Sequence, residues 1–175
     1  MQFLKTILLC IILFLVTRTS YAQEQVKLIF LDFDGVLNSY SRSSPYCFYK
    51  LKQLHGIRIS PDLVQKLNRM IDKNNAKVVI SASVRKIKSI EELIAALRSA
   101  GFKGEIIGKT PTRPEREDEI KSWLSENRNK YQVAKYIVLE DESEDFTSLK
   151  EHIVKVNGQI GLTDANAKFA QKLLK

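Results

Sequence analysis

Short runs of consecutive apolar residues alternate along this chain with longer segments in which apolar residues recur every three or four positions. The short runs are typical of strands buried on both faces, and the longer segments are typical of amphipathic helices. Five runs predict strands, and they contain KLIFL, AKVVIS, GEIIGKT, KYIVLE and HIVKV. Because helical segments lie between or after these runs, we predict an α/β, Rossmann-like, doubly wound and mostly parallel five-stranded sheet.

Local signals mark where the predicted helices begin and end. Ser60 followed by Pro61 is typical of a helix N-terminus, because a side-chain oxygen can cap the first turn and proline fits the first helical position. We expect the second helix to begin near Ser89 and to end at Gly101. Thr163 is expected to cap the last helix.

The first 22 residues depart from this pattern. Lys5 precedes the apolar run TILLCIILFLV, and Ser20 and Ala22 occupy the small-residue positions of a cleavage site. This arrangement predicts a signal peptide over residues 1–22, a mature domain over residues 23–175 and a secreted or periplasmic protein. An uncleaved membrane anchor is the alternative, but the run is shorter than the roughly 20 residues of a spanning helix. We expect no stable membrane association after cleavage.

The composition is that of a globular domain with few cysteines. The chain has 175 residues, of which 44% are apolar, and its net charge of +8 favours partners of negative charge. Cys10 falls in the predicted signal peptide, so the mature chain keeps only Cys47 and can form no internal disulfide. We interpret Cys47 as an ordinary loop side chain.

Carboxylates follow two of the predicted strands. Asp32 and Asp34 end the first strand, and Glu140 and Asp141 end the fourth. The carboxyl ends of parallel strands meet at one edge of a sheet, where α/β proteins bind ligands, so we expect these acids to converge. Side chains two positions apart point the same way on a strand, and Gly35 lets the chain turn beyond them. An all-oxygen cluster predicts a Mg²⁺ site.

The same segments resemble the motifs of the haloacid dehalogenase-like (HAD) superfamily of phosphatases, in order along the mature chain. LDFDGVL is similar to the first motif, KVVIS to the second and YIVLEDE to the fourth. Arg116 lies where the third motif has lysine or arginine, and Arg113 competes for that role. More narrowly, VVISASVR, GKTPTRPEREDEIKSWL and GLTDANAKFAQKLL look like the HAD domain of RNA-repair ("Swiss Army Knife") proteins and related stand-alone phosphatases.

The resemblance implies a phosphatase that forms an aspartyl-phosphate. Asp32 would be the nucleophile, and Asp34 would protonate the leaving oxygen and then activate water. Ser81, which ends the second strand, would hydrogen-bond a phosphoryl oxygen. Arg116 would balance the charge of the phosphoryl group and the nucleophile. Gly35 would contact the substrate beside the nucleophile.

The resemblance also implies which residues hold Mg²⁺. Asp32, the main-chain carbonyl of Asp34 and Asp141 would be ligands, with Glu140 binding directly or through water. The narrower family often has two aspartates where this chain has Glu140 and Asp141, which leaves the role of Glu140 as a direct ligand open. Asp145 is a second candidate for the metal shell.

The predicted mouth of the site bears on the substrate. The segment from Ser39 to Ser60 has room for a small flap and no full cap domain, and capless members of the resembled family tend to act on large substrates. Basic residues that could hold further phosphates follow the second and third strands: Arg85, Lys86, Lys88, Lys109 and Arg113. The flap contains four aromatic residues that could stack on bases or pack on the domain: Tyr40, Tyr46, Phe48 and Tyr49.

We therefore expect a monomeric, Mg²⁺-dependent phosphomonoester hydrolase, with nucleotides or polynucleotide ends as candidate substrates. Two alternatives remain open at this point. One is an inactive HAD-like module that binds phosphorylated or nucleic-acid ligands. The other is a phosphotransferase that passes the phosphoryl group to an alcohol instead of water.

Overall fold

The computed structural model describes residues 23–47, 56–144 and 146–175. Its strands are β1 (Glu24–Leu31), β2 (Ala76–Ile80), β3 (Ile106–Lys109), β4 (Tyr131–Glu140) and β5 (Ile153–Lys155). They form one sheet in the order β3-β2-β1-β4-β5, and each neighbouring pair is parallel. The predicted doubly wound, Rossmann-like α/β fold is confirmed.

Four helices connect or follow the strands: α1 (Pro61–Asn74), α2 (Ile90–Ser99), α3 (Arg116–Glu126) and α4 (Asp164–Leu173). Two short 3₁₀ turns span Ser83–Lys86 and Lys150–His152. Ser89 and Thr163 cap α2 and α4 as predicted, each within a reciprocal capping box. Ser60 has the extended backbone of a capping residue, but its side chain caps no N–H of α1.

Strand β1 is buried on both faces, as its unbroken apolar run predicts. Ile29 and Leu31 pack in one core with residues of α1, α2 and α4, whereas Leu28 and Phe30 pack in a second core with α3. Side chains alternate across a strand, so consecutive apolar residues serve opposite layers of helices. Trp123 of α3 contacts the Phe30 ring edge-on, with the ring centroids 5.7 Å apart.

The strand order reverses at β1, which lies between β2 and β4. At this point, main-chain hydrogen bonds link the ends of these three adjacent strands. The N–H of Asp32 donates to the carbonyl of Leu139 at 3.2 Å, and the N–H of Ser81 donates to the carbonyl of Leu31 at 2.9 Å. The polar residues that follow β1, β2 and β4 are therefore brought to one edge, at the topological switch point where α/β sheets bind ligands.

Some predictions fall on residues that the structure does not describe. Residues 1–22, assigned above to a signal peptide, are among them, as are residues 48–55 in the centre of the flap. Within the described ranges, none of the helices combines the length and apolar character needed to cross a membrane. Cys47 is a free, buried thiol at the end of the described first part of the flap.

Candidate active site

The turn after β1 presents two carboxylates. Asp32 is buried and Asp34 is half-buried. Gly35 follows with φ +69°, a conformation that favours glycine, and its N–H donates to Oδ1 of Asn38 at 2.9 Å. The amide of Asn38 in turn donates to Oδ1 of Asp34 at 2.8 Å, so the turn orients that carboxylate. The sequence interpretation missed Asn38, although asparagine near a glycine turn is a typical loop-stabilising residue.

Arg116, the first residue of α3, reaches these carboxylates. Its Nη2 lies 3.5 Å from Oδ1 of Asp32 and forms an ion pair with Glu140. Its Nη1 lies 3.4 Å from the hydroxyl of Ser83, a second residue that the sequence interpretation missed. Arg113 instead forms an ion pair with Glu126 on the flank of α3, at 2.8 Å. The structure thus places Arg116, and not Arg113, at the carboxylates.

Glu140 is fully buried at the end of β4, and both of its carboxylate oxygens have protein partners. Oε1 accepts hydrogen bonds from the N–H groups of Asp141 at 3.1 Å and Glu142 at 3.2 Å, while Oε2 pairs with Arg116. Carboxylate oxygens of Asp32, Glu140 and Asp141 lie within 4.8 Å of one another. These residues fit a cation site made of oxygen ligands.

Asp145, the further candidate for the metal shell, lies outside the described residues.

The burial of the other acids has an electrostatic consequence. Burial raises the pKa of Asp32 to about 6; Arg116 opposes this rise, and the carboxylates of Asp34 and Asp141 add to it. Burial likewise raises the pKa of Asp34 and of Glu140. The cluster therefore carries more negative charge than one arginine offsets, which favours binding of a cation.

A cavity of about 370 Å³ opens onto these groups, and it is lined by Asp32, Asp34, Tyr40, Ser83, Arg116, Asp141 and Glu142. Tyr40 forms part of its wall and hydrogen-bonds Asp141 through its hydroxyl. The backbone of Tyr40 donates to the carbonyl of Gly158 at 2.8 Å. A methyl group at Gly158 would lie 2.6 Å from both Oδ2 of Asp141 and the Tyr40 ring, so only glycine permits this close packing.

Ser81 lies beside the end of β1, as predicted, but its hydroxyl does not line the cavity. Among the described residues, the buried side-chain oxygens of Ser81 and Thr110 have no hydrogen-bond partner. An unpaired buried hydroxyl is destabilising by about 1–3 kcal/mol. A phosphoryl oxygen that reached Ser81 would supply the missing partner.

The predicted basic rim is largely engaged in internal contacts. Arg85 is 3% exposed and donates only inward, so the expectation that it binds substrate at the mouth is wrong. Lys109 donates to the carbonyls of Arg85 and Lys88 at 3.0 and 2.9 Å. Lys88 pairs with Glu92 at 2.8 Å. Lys86 keeps 41% of its side chain exposed, and neither it nor Arg113 lines the cavity.

Comparison with known proteins identifies one family. Residues 28–167 match the family described as the HAD domain in Swiss Army Knife RNA repair proteins. The matched range is most of the chain and includes each candidate catalytic and metal-binding residue named above. The other two comparisons, with curated proteins and with solved structures, gave no match. The resemblance predicted from the motifs is confirmed.

Proposed function

We propose that this chain, which belongs to the family of HAD domains in Swiss Army Knife RNA repair proteins, is a Mg²⁺-dependent phosphomonoester hydrolase. The family by itself suggests a phosphatase-type hydrolase. The observation that supports the finer proposal most strongly is the convergence of Asp32, Asp34 and Arg116 on one open cavity. A nucleophile, a proton donor and a cation are the side chains that phosphoryl transfer through a carboxylate requires.

In the first step, an Asp32 carboxylate oxygen attacks phosphorus. A bond from that oxygen to phosphorus forms as the bond from phosphorus to the leaving oxygen breaks, and Asp34 gives its proton to the leaving oxygen. In the second step, Asp34 takes a proton from water, whose oxygen attacks phosphorus and releases Asp32 and inorganic phosphate. The raised pKa of Asp34 suits a group that must first donate a proton.

Arg116 and Ser81 would stabilise charge during both steps. Arg116 lies against Asp32 and is held by Glu140, so its guanidinium faces the place where the phosphoryl oxygens would lie. Such a fixed cation stabilises the charge that develops on those oxygens without reorganisation. The unpaired hydroxyl of Ser81 is suited to donate a hydrogen bond to one phosphoryl oxygen.

Asp32, Asp141 and the main-chain carbonyl of Asp34 would hold Mg²⁺, with Glu140 binding through water because its own oxygens already have protein partners. When bound, Mg²⁺ supplies positive charge that stabilises the phosphoryl oxygens. The fit rests on the all-oxygen donor set and on the carboxylate charge that Arg116 leaves uncompensated.

Phosphate release with and without Mg²⁺ tests the proposal. The substrates are p-nitrophenyl phosphate, mononucleotides, and 5′- and 3′-phosphorylated oligonucleotides. We expect Asp32→Asn to abolish release, while Glu126→Gln, which removes an exposed carboxylate of α3, serves as the matched control and keeps it. Release that survives in Asp32→Asn contradicts the nucleophile assignment. Release from no substrate favours the inactive binding module, and phosphate found on added alcohols favours the phosphotransferase.

Nucleotides or polynucleotide ends are the substrates that we propose. Support comes from the RNA-repair context of the family and from the aromatic wall that Tyr40 adds to an open cavity. We also propose that the protein is exported and acts as a monomer. N-terminal sequencing of the protein recovered outside the cytoplasm tests the export, with Gln23 expected as the first residue.

A further inference from the structure

Arg85 is a buried arginine whose whole hydrogen-bonding capacity is used inside the protein. A guanidinium has five N–H donors. Those of Arg85 face five acceptors, which are the carbonyls of Ser81 (2.8 Å), Ala82 (3.0 Å), Thr110 (3.1 Å) and Pro111 (3.3 Å) and the carboxylate of Glu119. Burying an ion pair is unfavourable unless its geometry satisfies both partners. This arginine meets that condition.

Glu119, the partner of Arg85, is 1% exposed and lies three residues after Arg116 on α3. Residues three apart on a helix lie on the same side, so the ion pair holds α3 close to its N-terminus. The second oxygen of Glu119 accepts from the N–H of Arg113 at 3.3 Å and lies 3.5 Å from Nζ of Lys86. Glu119 therefore also fixes the segment that enters α3.

The Arg85 contacts join three separate parts of the candidate active site. The carbonyls of Ser81 and Ala82 belong to the loop after β2, which also carries Ser83. The carbonyls of Thr110 and Pro111 belong to the loop after β3, and Glu119 belongs to the helix that begins with Arg116. Arg85 is thus the common anchor of the elements that bring Ser83 and Arg116 within 3.4 Å of each other.

We propose that Arg85 and Glu119 form a positioning pair that sets Arg116 and Ser83 against the carboxylates for phosphoryl transfer. This inference rests on the proposed function for its reaction. Arg85 lines no part of the cavity and touches no reacting atom, so it acts through the residues that it holds. Lysine cannot replace it, because an ammonium has three donors and lacks the planar fork that meets five acceptors.

Two variants and one matched control test the pair in the full chain. Arg85→Lys keeps the charge and loses the fork, whereas Glu119→Gln keeps the shape and loses the charge. Asn68→Ala is the control. Asn68 is a buried polar residue that likewise bridges loop backbone, at Gly101 and Lys103 with distances of 2.8 and 3.0 Å, but it does so at the opposite edge of the sheet.

We expect kcat to fall about 100-fold in Arg85→Lys and about 10-fold in Glu119→Gln, with KM changed less than about threefold, because small misplacements of catalytic groups act on the transition state. Asn68→Ala should lower the melting temperature about as much as the two variants of the pair do, and it should leave kcat within about twofold of the wild-type value. If Arg85→Lys does not fold, Glu119→Gln decides. A folded variant of the pair with the kcat of the wild type overturns the proposal.

A measurement that needs no turnover separates this inference from the proposed function. The Nε–Hε NMR signal of Arg116, assigned by its loss in Arg116→Lys, reports the surroundings of that guanidinium. We expect it to shift or broaden in Glu119→Gln and to stay in place in Asn68→Ala. An unchanged signal in Glu119→Gln overturns the positioning pair. If the wild type hydrolyses nothing, the proposed function fails and this signal alone tests the pair.

Discussion

The charged side chains of the loops after β1 and β4 face a cavity, whereas those of the loops after β2 and β3 are mostly paired inside the protein. We call the first two loops the acidic side and the other two the basic side. On the acidic side, Asp32, Asp34 and Asp141 face a cavity with Arg116 as their cation. On the basic side, Arg85 and Lys109 are occupied by carbonyls and by a buried glutamate.

This difference separates a site from its scaffold. Keeping several carboxylates together in a partly buried place is unfavourable, and the raised pKa of Asp32 expresses that cost. Such an arrangement is typical of functional sites, where a bound cation can supply the missing charge. A cation whose donors are all satisfied internally, such as Arg85, stabilises loops instead. Under the proposed function, carboxylate charge that the protein leaves uncompensated, and not charge as such, distinguishes the candidate active site from the loops around it.

Replacing Asp34, the proposed proton-transfer group of the acidic side, should have the largest effect. We expect Asp34→Asn to lower kcat by about 10²–10⁴-fold, because general acid–base catalysis contributes about that much. Glu144→Gln is the control, since Glu144 is an exposed acid of the same side that pairs with Lys155 at 2.6 Å. Steady-state phosphate release measures both. If kcat of Asp34→Asn stays within threefold of the wild-type value, the proposed role of Asp34 in proton transfer is wrong.

Crowding the acidic side should separate its function from its stability. Gly158→Ala places a methyl group 2.6 Å from Asp141 and Tyr40, whereas Gly104→Ala places one 2.8 Å from Phe102, far from the site. Both changes should lower the free energy of unfolding by about 1–3 kcal/mol through overpacking. Only Gly158→Ala should weaken Mg²⁺ binding, as measured by calorimetry. Equal Mg²⁺ affinities would contradict the proposed role of Asp141 as a ligand.

The two unpaired hydroxyls should respond differently although both are buried. We expect Thr110→Val to raise the free energy of unfolding by about 1 kcal/mol, because it removes a polar group without a partner. Ser81→Ala should lower kcat/KM by about tenfold, because it removes a donor to the transition state. Chemical denaturation and steady-state kinetics report the two effects. If the Ser81→Ala enzyme has normal kcat/KM, Ser81 has only a structural role, like Thr110.

Glu117 joins helix α3 to the loop after β4, on the acidic side, and should make the stability of the fold depend on pH in acid. Burial alone would raise its pKa, but hydrogen bonds from Lys121, Ser148 and the N–H of Thr147 outweigh burial and lower the pKa to about 2. A carboxylate with a lowered pKa stabilises the fold above its unfolded pKa of about 4.5 and loses this effect as the pH falls toward about 2. Glu117→Gln should therefore flatten the acid limb of the unfolding free energy.

The measurement for Glu117 is denaturant unfolding between pH 5 and pH 2, at which range the folded and unfolded chains bind different numbers of protons. Ser148→Ala removes one donor and keeps the carboxylate, so we expect it to give an intermediate slope. A Glu117→Gln slope equal to that of the wild type would assign the acid dependence to other carboxylates.

The smallest effects should come from the exposed cations of the basic side. We expect Lys86→Ala and Arg113→Ala to change KM for a nucleotide less than about threefold, because exposed charges in solvated pairs contribute about 0–1 kcal/mol. The assay is repeated at two salt concentrations. A rise in KM of more than tenfold that depends on salt would show that Lys86 and Arg113 bind the substrate. The cations of the basic side would then not be engaged only inside the protein.

The order of strands and helices and the place of the acidic residues follow from the sequence alone. Apolar periodicity distinguishes β1 from α1, and parallel strands bring their carboxyl ends to one edge, so Asp32 and Asp141 could be predicted to meet. Each of these inferences uses only neighbours in the chain or a general rule of topology, which is why the sequence suffices for them.

Only the tertiary structure decided which side chains face the cavity. The sequence predicts that Arg85 lies at the rim, because its ion-pair partner Glu119 is 34 positions away. Its other partners are backbone carbonyls, which every residue has and which no sequence pattern marks. The contact between Tyr40 and Gly158 depends on two loops more than 100 residues apart. The sequence determined which charges exist and near which strand they lie. Whether a charge is neutralised by the protein or left for a ligand depends on packing between distant segments, which no local pattern encodes.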